Sequence, residues 1–229
     1  MTPRPIVLLG VLAATCAVLL MRGRDLLDRL MAPMTSRPTG PIGRALYRDA
    51  TSMHGRAWQA AHERLELRTT DRLLDVGCGG GTFLGQALET VASAAGLDYS
   101  PDMIEVTREN NAAAVAEGRL DLRVGDAAAL PWDDGAFDVV TNLAALDAMV
   151  RPDVVLRESA RVLVPGGRCL VSTMARPEGD DAGARFMRWL MPELYRESQL
   201  AELLADAGFG EVETHTTDGG WLVGYAVKV

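Results

Sequence analysis

Apolar and polar positions follow two rhythms along this chain. The short apolar runs Arg72–Val76, Ala95–Asp98, Leu120–Val124, Phe137–Leu143 and Arg168–Met174 have the length and flanking turn residues of strands buried on both faces. Longer stretches between them read as helices. One is Thr82–Val91; another is opened by Ser100 as N-cap, Pro101 at the first helical position and the early acid Asp102, and runs to Glu117 before Gly118. Asp153–Leu163 is a third, stopped by Pro165-Gly166-Gly167, and Gln199–Ala207 a fourth, ending at Gly208. Strands near Glu211–Thr216 and Trp221–Lys228 follow, and Asp218-Gly219-Gly220 joins them as a hairpin, hence an antiparallel edge. Alternation of this kind calls for a seven-stranded, mostly parallel sheet of the α/β class with helices on both faces.

Ahead of the first strand, residues 44–67 suit a lid helix, with Leu46, Tyr47, Met53, Ala57 and Trp58 at its apolar and aromatic positions. Residues 31–43 hold three prolines and two glycines and read as a linker. Before it, Ile6 to Met21 is a run of 16 residues without a charge. As a helix it reaches about 24 Å, against the roughly 30 Å of a bilayer's hydrocarbon core. Residues 1–30 thus read as an apolar helix that anchors the domain to the cytoplasmic face of a membrane, with Arg22, Arg24 and Arg29 staying inside. A true start at Met21, Met31 or Met34 is the plain alternative. A secretory signal lacks an A-x-A site here, and the apolar run continues past Cys16, which suits a lipoprotein site poorly.

At 229 residues and 48% apolar composition, the chain holds one α/β domain, residues 44–229, with its appendage. Charge narrows the partners. Five arginines against two aspartates give residues 1–40 a net +3, which leaves −11 for the rest of a chain of net charge −8. So acidic a body lacks the electrostatic footprint of a nucleic-acid binder and points to a small molecule. The three cysteines, Cys16, Cys78 and Cys169, form neither a disulfide framework nor a C-x-x-C metal spacing, and no metal is implied.

The chemistry concentrates after the first strand, in Leu73-Leu74-Asp75-Val76-Gly77-Cys78-Gly79-Gly80-Gly81. Glycines let a backbone approach a ligand and adopt positive φ; a plain tight turn needs one or two, and here four fall in five positions. The dinucleotide spacing G-x-G-x-x-G fails, because Thr82 or Leu84 stands where the third glycine belongs. What is present is D-x-G-x-G-x-G, from Asp75 to Gly81. Asp98 ends the second strand 21 residues beyond Gly77, where a carboxylate can accept both hydroxyls of a ribose. Gly125-Asp126-Ala127 follows the third strand, and Leu130-Pro131-Trp132-Asp133-Asp134-Gly135 leads into the fourth.

This ordered set, covering Leu73 to Val229, resembles the class I, Rossmann-like S-adenosylmethionine-dependent methyltransferases, in particular the group acting on quinones and small molecules. The resemblance implies S-adenosyl-L-methionine as cosubstrate and a small, apolar acceptor molecule as partner. It implies that Asp75, Gly77 and Gly79, with Cys78 between, line the methionine end. By the same resemblance Asp98, Tyr99 and Met103 hold ribose and adenine, Asp126 and Ala127 meet the adenine edge, and Asn142 sits after strand four beside the sulfonium. Ala144-Ala145-Leu146 lacks the His or acid that some members place there. His54, in a stretch similar to a Met-x-x-His element of some relatives, is the catalytic candidate, as a base or an acceptor-orienting group; an ordinary polar residue on a helix face is the alternative. A nicotinamide oxidoreductase is disfavoured by the failed spacing. A cosubstrate-binding scaffold without turnover is the remaining rival.

Overall fold

The computed structural model describes residues 38–48, 55, 58, 61, 63–191 and 193–229. The apolar run Ile6–Met21, most of the linker and His54 lie outside the described residues. In chain order the described elements are α1 (Gly40–Tyr47), β1 (Arg72–Val76), α2 (Thr82–Ala87), β2 (Ser93–Asp98), α3 (Pro101–Asn110), α4 (Ala112–Ala116), β3 (Leu120–Val124) and β4 (Phe137–Leu143). A 3₁₀ turn (Leu146–Ala148) then leads to α5 (Pro152–Val162), β5 (Leu163–Met174), α6 (Ala182–Leu190), α7 (Glu197–Asp206), β6 (Phe209–Thr216) and β7 (Trp221–Lys228).

The seven strands make one sheet in the order β3-β2-β1-β4-β5-β7-β6, the Rossmann-like arrangement. From β1 the chain steps outward to β2 and β3, then crosses to β4 on β1's other side. That reversal opens a crevice at the carboxyl ends of β1 and β4, where open α/β sheets bind ligands. Both faces are covered, so the central strands are almost continuously apolar. Leu74, Val76, Val140 and Val171 pack on one face with Leu156 of α5 and with Leu200 and Leu204 of α7. Leu73, Val139 and Leu170 pack on the other with Phe83, Leu84 and Ile104.

Several expected boundaries move, each for a local reason. The helix expected to run from Ser100 to Glu117 breaks at Asn111 (φ −120°, ψ 31°), whose Nδ2 donates to the carbonyls of Gly81 and Thr107. The helix from Thr82 ends at Ala87, since the chain must turn back for the Ala92 N–H to meet the Asp71 carbonyl (3.0 Å) ahead of β2. Pro165-Gly166-Gly167 does not separate a helix from a strand: β5 already begins at Leu163, and these residues sit in an irregularity where pairing jumps from Phe137↔Leu163 to Val139↔Arg168. The β6–β7 hairpin forms the expected antiparallel edge: β7 is its inner strand, antiparallel to both β5 and β6, and β6 is the outer one. β6 alternates between half-buried and exposed positions along most of its length, whereas no residue of β7 is exposed.

Helix α1 starts at Gly40, inside the expected linker, with Pro41 in its first turn. It lies against α3: the Gly40 N–H donates to Asp102 Oδ2 (2.7 Å), the Ser100 hydroxyl to the Pro38 carbonyl (2.6 Å), and Arg44 and Arg48 both reach Glu109 (2.7 and 2.8 Å). Asn110 Nδ2 donates to the carbonyls of both Arg48 and Gly80 (2.9 Å each), joining the end of α1 to the glycine turn.

The sheet is tied to the segment before β1 by a buried ion pair. Arg168 of β5 meets Asp71 at 2.5 Å and also donates to the carbonyls of Leu65 and Glu66. Removing one partner strands the other's charge in the interior. Asp71→Ala is expected to lower the stability measured by urea denaturation by about 3–5 kcal/mol; an unchanged midpoint would show that the pair carries no such weight.

Candidate active site

β1 runs straight into the glycine turn, and β2 holds that turn in place. The Gly77 and Cys78 N–H groups both donate to the Leu97 carbonyl (2.7 and 3.1 Å), and the Gly79 N–H to Asp98 Oδ2 (2.9 Å). Two of the glycines are required for separate reasons. Gly77 has φ +80°, and a Cβ there would come within 2.6 Å of the Ala145 Cβ in the loop after β4. Gly80 has no such dihedral, but its Cβ would collide with the Tyr47 carbonyl at the end of α1. Thus the turn is closed from two sides at van der Waals distance.

Around it lie two adjoining cavities that share Tyr47, Gly77, Gly79 and Ala144. The larger, about 230 Å³, is lined by Gly77, Gly79, Asp98, Tyr99, Met103, Asp126 and Ala127. Seven of the residues singled out in the sequence are therefore brought to one place. The smaller, about 50 Å³, takes Asp75 and Cys78. Asn142 lines neither cavity: its side chain is buried in β4, where Nδ2 donates to Met149 Sδ (3.5 Å). It reaches the larger cavity only through Met149. Sequence reasoning missed Pro38, Ala145, Ala148, Met149, Val150 and Arg151, which also line the larger cavity. None belongs to a motif; their one sequence signal is a position just past the end of β4 or just before α1.

The electrostatics of the site are dominated by acids. Asp75 is fully buried, with the Thr141 hydroxyl donating to it (2.8 Å). Burial pushes its carboxyl up to about 7, with the Thr141 bond opposing and the charge of Asp98 adding. Burial also raises Asp98, against the N–H groups of Ser100, Gly79 and Tyr99 that stabilise its ionised form. The Cys78 thiol is pushed well above its usual range by burial and by the charges of Asp98 and Asp75, which keeps it a thiol. Asp126 is exposed, accepts the Ala128 N–H (2.9 Å) and faces Arg151 at 3.5 Å. Arg151 is the only cation among the described lining residues. Such a lining favours a ligand that carries positive charge and hydrogen-bond donors. Among the described residues no three His, Cys, Asp or Glu side chains gather as a metal site.

Comparison with known proteins gives the arrangement a context. Residues 74–171 match the methyltransferase domain family. The chain is 35% identical to 27-O-demethylrifamycin SV methyltransferase of Amycolatopsis mediterranei over 128 residues, 54% of this chain and 47% of that one. It is 31% identical to a ubiquinone biosynthesis O-methyltransferase of Xanthomonas euvesicatoria over 157 residues, 63% of this chain and 64% of the relative. The first relatives it matches are longer, and the chain spans between 42% and 64% of their lengths. In structure it is similar to an S-adenosylmethionine-dependent methyltransferase from Aquifex aeolicus, with a TM-score of 0.66 at 18% identity, covering 83% of this chain and 100% of that one. That likeness is one of fold.

The state of Asp75 is open to direct measurement. Its folded carboxyl titrates above the ordinary 3.8, so the stability it contributes is complete below that value and is lost as pH rises through about 7. Asp75→Asn removes this dependence. Between about pH 5 and pH 7 the wild type is expected to lose stability more steeply than the variant, by up to about 1.4 kcal/mol per pH unit. Parallel urea-stability profiles would mean that Asp75 is ionised throughout.

Proposed function

We propose that this chain, whose residues 74–171 match the methyltransferase domain, is an S-adenosyl-L-methionine-dependent methyltransferase that transfers its methyl group to a small-molecule acceptor. The observation that carries the reading is the hydrogen bond from the Gly79 N–H to Asp98, which sets the glycine turn of β1 and the acid of β2 on one cavity with Asp126 of the β3 end. The named methyltransferase relatives support it.

The lining fits this cosubstrate on three counts. It is acidic and so suits a sulfonium and an ammonium. Gly77 presents bare backbone to the cavity, and any Cβ there would collide with Ala145. Met103, fully buried, and Tyr99, exposed on the rim, offer apolar surface on the two sides of Asp98. In this reading Asp75, Gly77, Cys78 and Gly79 hold the methionine end, Asp98, Tyr99 and Met103 the ribose and adenine, and Asp126 and Ala127 the adenine edge, while Asn142 acts through Met149. The bound cosubstrate supplies a methyl already activated by its sulfonium. The work left to the protein is to hold the acceptor's nucleophilic atom in line with that methyl and exclude water, which alone is a large share of such a barrier. His54, outside the described residues, is a candidate on the acceptor side. The run Ile6–Met21, also outside them, is read as an anchor at the cytoplasmic face of a membrane, on the strength of its uncharged sequence and flanking arginines. Among the described residues no helix is long and apolar enough to cross a membrane.

Thermal denaturation of the full chain with S-adenosylhomocysteine tests the reading. At about 100 times the dissociation constant the ligand should add roughly 2.7 kcal/mol of stability. The gain should shrink in Asp98→Ala and be absent with NAD. No gain at saturating S-adenosylhomocysteine in a folded sample would remove the reading.

A further inference from the structure

We propose that α6 is a membrane-contact helix, whose paired aromatic side chains Phe186 and Trp189 enter the headgroup region of a phospholipid bilayer. The surface lies apart from the cavities described above, and the proposal does not rest on what they bind. It adds a second point of contact to the anchor read in Ile6–Met21 and is tested separately from it.

Three of the exposed large apolar side chains fall on one stretch of chain: Met174 at the tip of β5, and Phe186 (56% exposed) and Trp189 (39%) on α6. Phe186 and Trp189 stand three residues apart on one face of the helix, with ring centroids 5.9 Å apart. Ala184 is buried and Met187 half-buried, so the helix also has an inner face. Its position is fixed at both ends. Asp181 caps the first turn by accepting the N–H groups of Gly183 and Ala184 (2.9 and 3.0 Å). Arg188 ties the last turn to the segment leaving β5, donating to the carbonyls of Pro177 (3.1 Å) and Gly179 (2.6 Å). The aromatic pair is thus displayed by a capped and tethered helix. No described residue of α6 lines either cavity, so the pair is not a wall of the ligand site.

Charge selects the occupant of this face. Residues 176–196 carry four arginines against four acids and are neutral on balance, within a chain of net charge −8. A second copy brings the same −8, and repulsion between the two bodies opposes self-association through the patch. A strongly acidic or basic protein partner would find no net charge to match. A neutral patch bearing Trp and Phe suits the lipid interface, where amphipathic rings settle at headgroup level. There Arg185, exposed beside Phe186, reaches a lipid phosphate.

Placement points the same way. Pro38, the first described residue, lines the larger cavity at the carboxyl ends of β1 to β4. α6 follows the carboxyl end of β5, which runs parallel to β4, and so lies at the same end of the sheet. Ile6–Met21 ends 17 residues before Pro38, and a chain of that length spans at most roughly 60 Å. A bilayer holding that run is within the tether's reach of Phe186 and Trp189, at the end of the sheet where the tether joins.

The test uses the full chain on phosphatidylcholine vesicles with brominated acyl chains, which quench the fluorescence of tryptophans in contact with the bilayer. Because the chain holds four tryptophans, the contribution of Trp189 is the difference between wild type and Trp189→Phe. Vesicle-bound wild type is expected to be quenched well beyond Trp189→Phe. Phe186→Ser should reduce Trp189 quenching, while added phosphatidylglycerol or salt should change it little, since the patch is neutral. An unchanged thermal midpoint marks both variants as folded. Equal quenching of vesicle-bound wild type and Trp189→Phe would overturn the proposal and leave the anchor standing. A chain that does not bind vesicles at all would overturn both. Quenching of Trp189 only with phosphatidylglycerol would overturn the selection of a neutral interface. Self-association of the vesicle-free chain in sedimentation, abolished by Phe186→Ser, would place a second copy on this face and overturn the proposal as well.

Discussion

One carbonyl and one carboxylate hold the turn on which the rest of the site depends. The Leu97 carbonyl takes the N–H groups of Gly77 and Cys78, and Asp98 takes that of Gly79, so the end of β2 dictates the path of the chain leaving β1. A single such bond is worth about 1 kcal/mol net, but a buried N–H left without one costs about 1–3 kcal/mol, and the turn cannot drift without stranding several together. Its own carbonyls are also taken: Thr107 donates to Gly79, Asn110 to Gly80 and Asn111 to Gly81. Helix α3 is thereby locked to the turn, and α1, bound along α3, brings Tyr47 to the cavity. The break at Asn111 follows from the same constraint, because an uninterrupted helix would carry that side chain out of reach of Gly81.

The same closeness sets the electrostatics. Asp75 and Asp98 sit at the ends of adjacent strands, and neither faces a cation among the described residues. Burial disfavours the charge of each. A folded protein gains little from such a pair, which is the expected condition of a site whose counter-charge arrives with its ligand. By contrast, several acids away from the crevice are paired where they stand: Glu158 and Asp134 with Arg161, Asp138 with Arg72, Asp71 with Arg168. Asp75 and Asp98 are instead buried at the crevice with only hydrogen-bond donors beside them.

Much of the sheet was legible because β1 to β4 lie in a doubly covered sheet and are written as plain apolar runs between turn residues. The elements that misled are those where a tertiary contact outweighs local preference. Pro165-Gly166-Gly167 reads as a break, yet the pairing of Leu163 with Phe137 draws the residues before it into β5. The hairpin at the chain's end is the antiparallel edge that its turn announces, but which of its two strands lies inward, here β7 against β5, is set by tertiary pairing. Asn142, expected just after the fourth strand, lies within it, paired with Val171, and its side chain turns to Met149. Met149 carries no motif, and nothing in the local sequence foretells the contact.

The two halves of the crevice differ in how they are encoded. Asp75 to Gly81, Asp98 to Met103 and Asp126 to Ala127 are each a strand end with its following turn, so the part of the crevice assigned to the cosubstrate under the proposed function is read from adjacent residues. The rest of the lining comes from Tyr47 at the end of α1 and from the turn after β4, Ala144 to Arg151, which approach one another only in the folded sheet. On the proposed function, changes in those scattered segments would alter the acceptor without disturbing the hydrogen bonds that hold the glycine turn. A scaffold divided in this way can keep its cosubstrate while its acceptor varies, which is why the sequence is explicit about the first and nearly silent about the second.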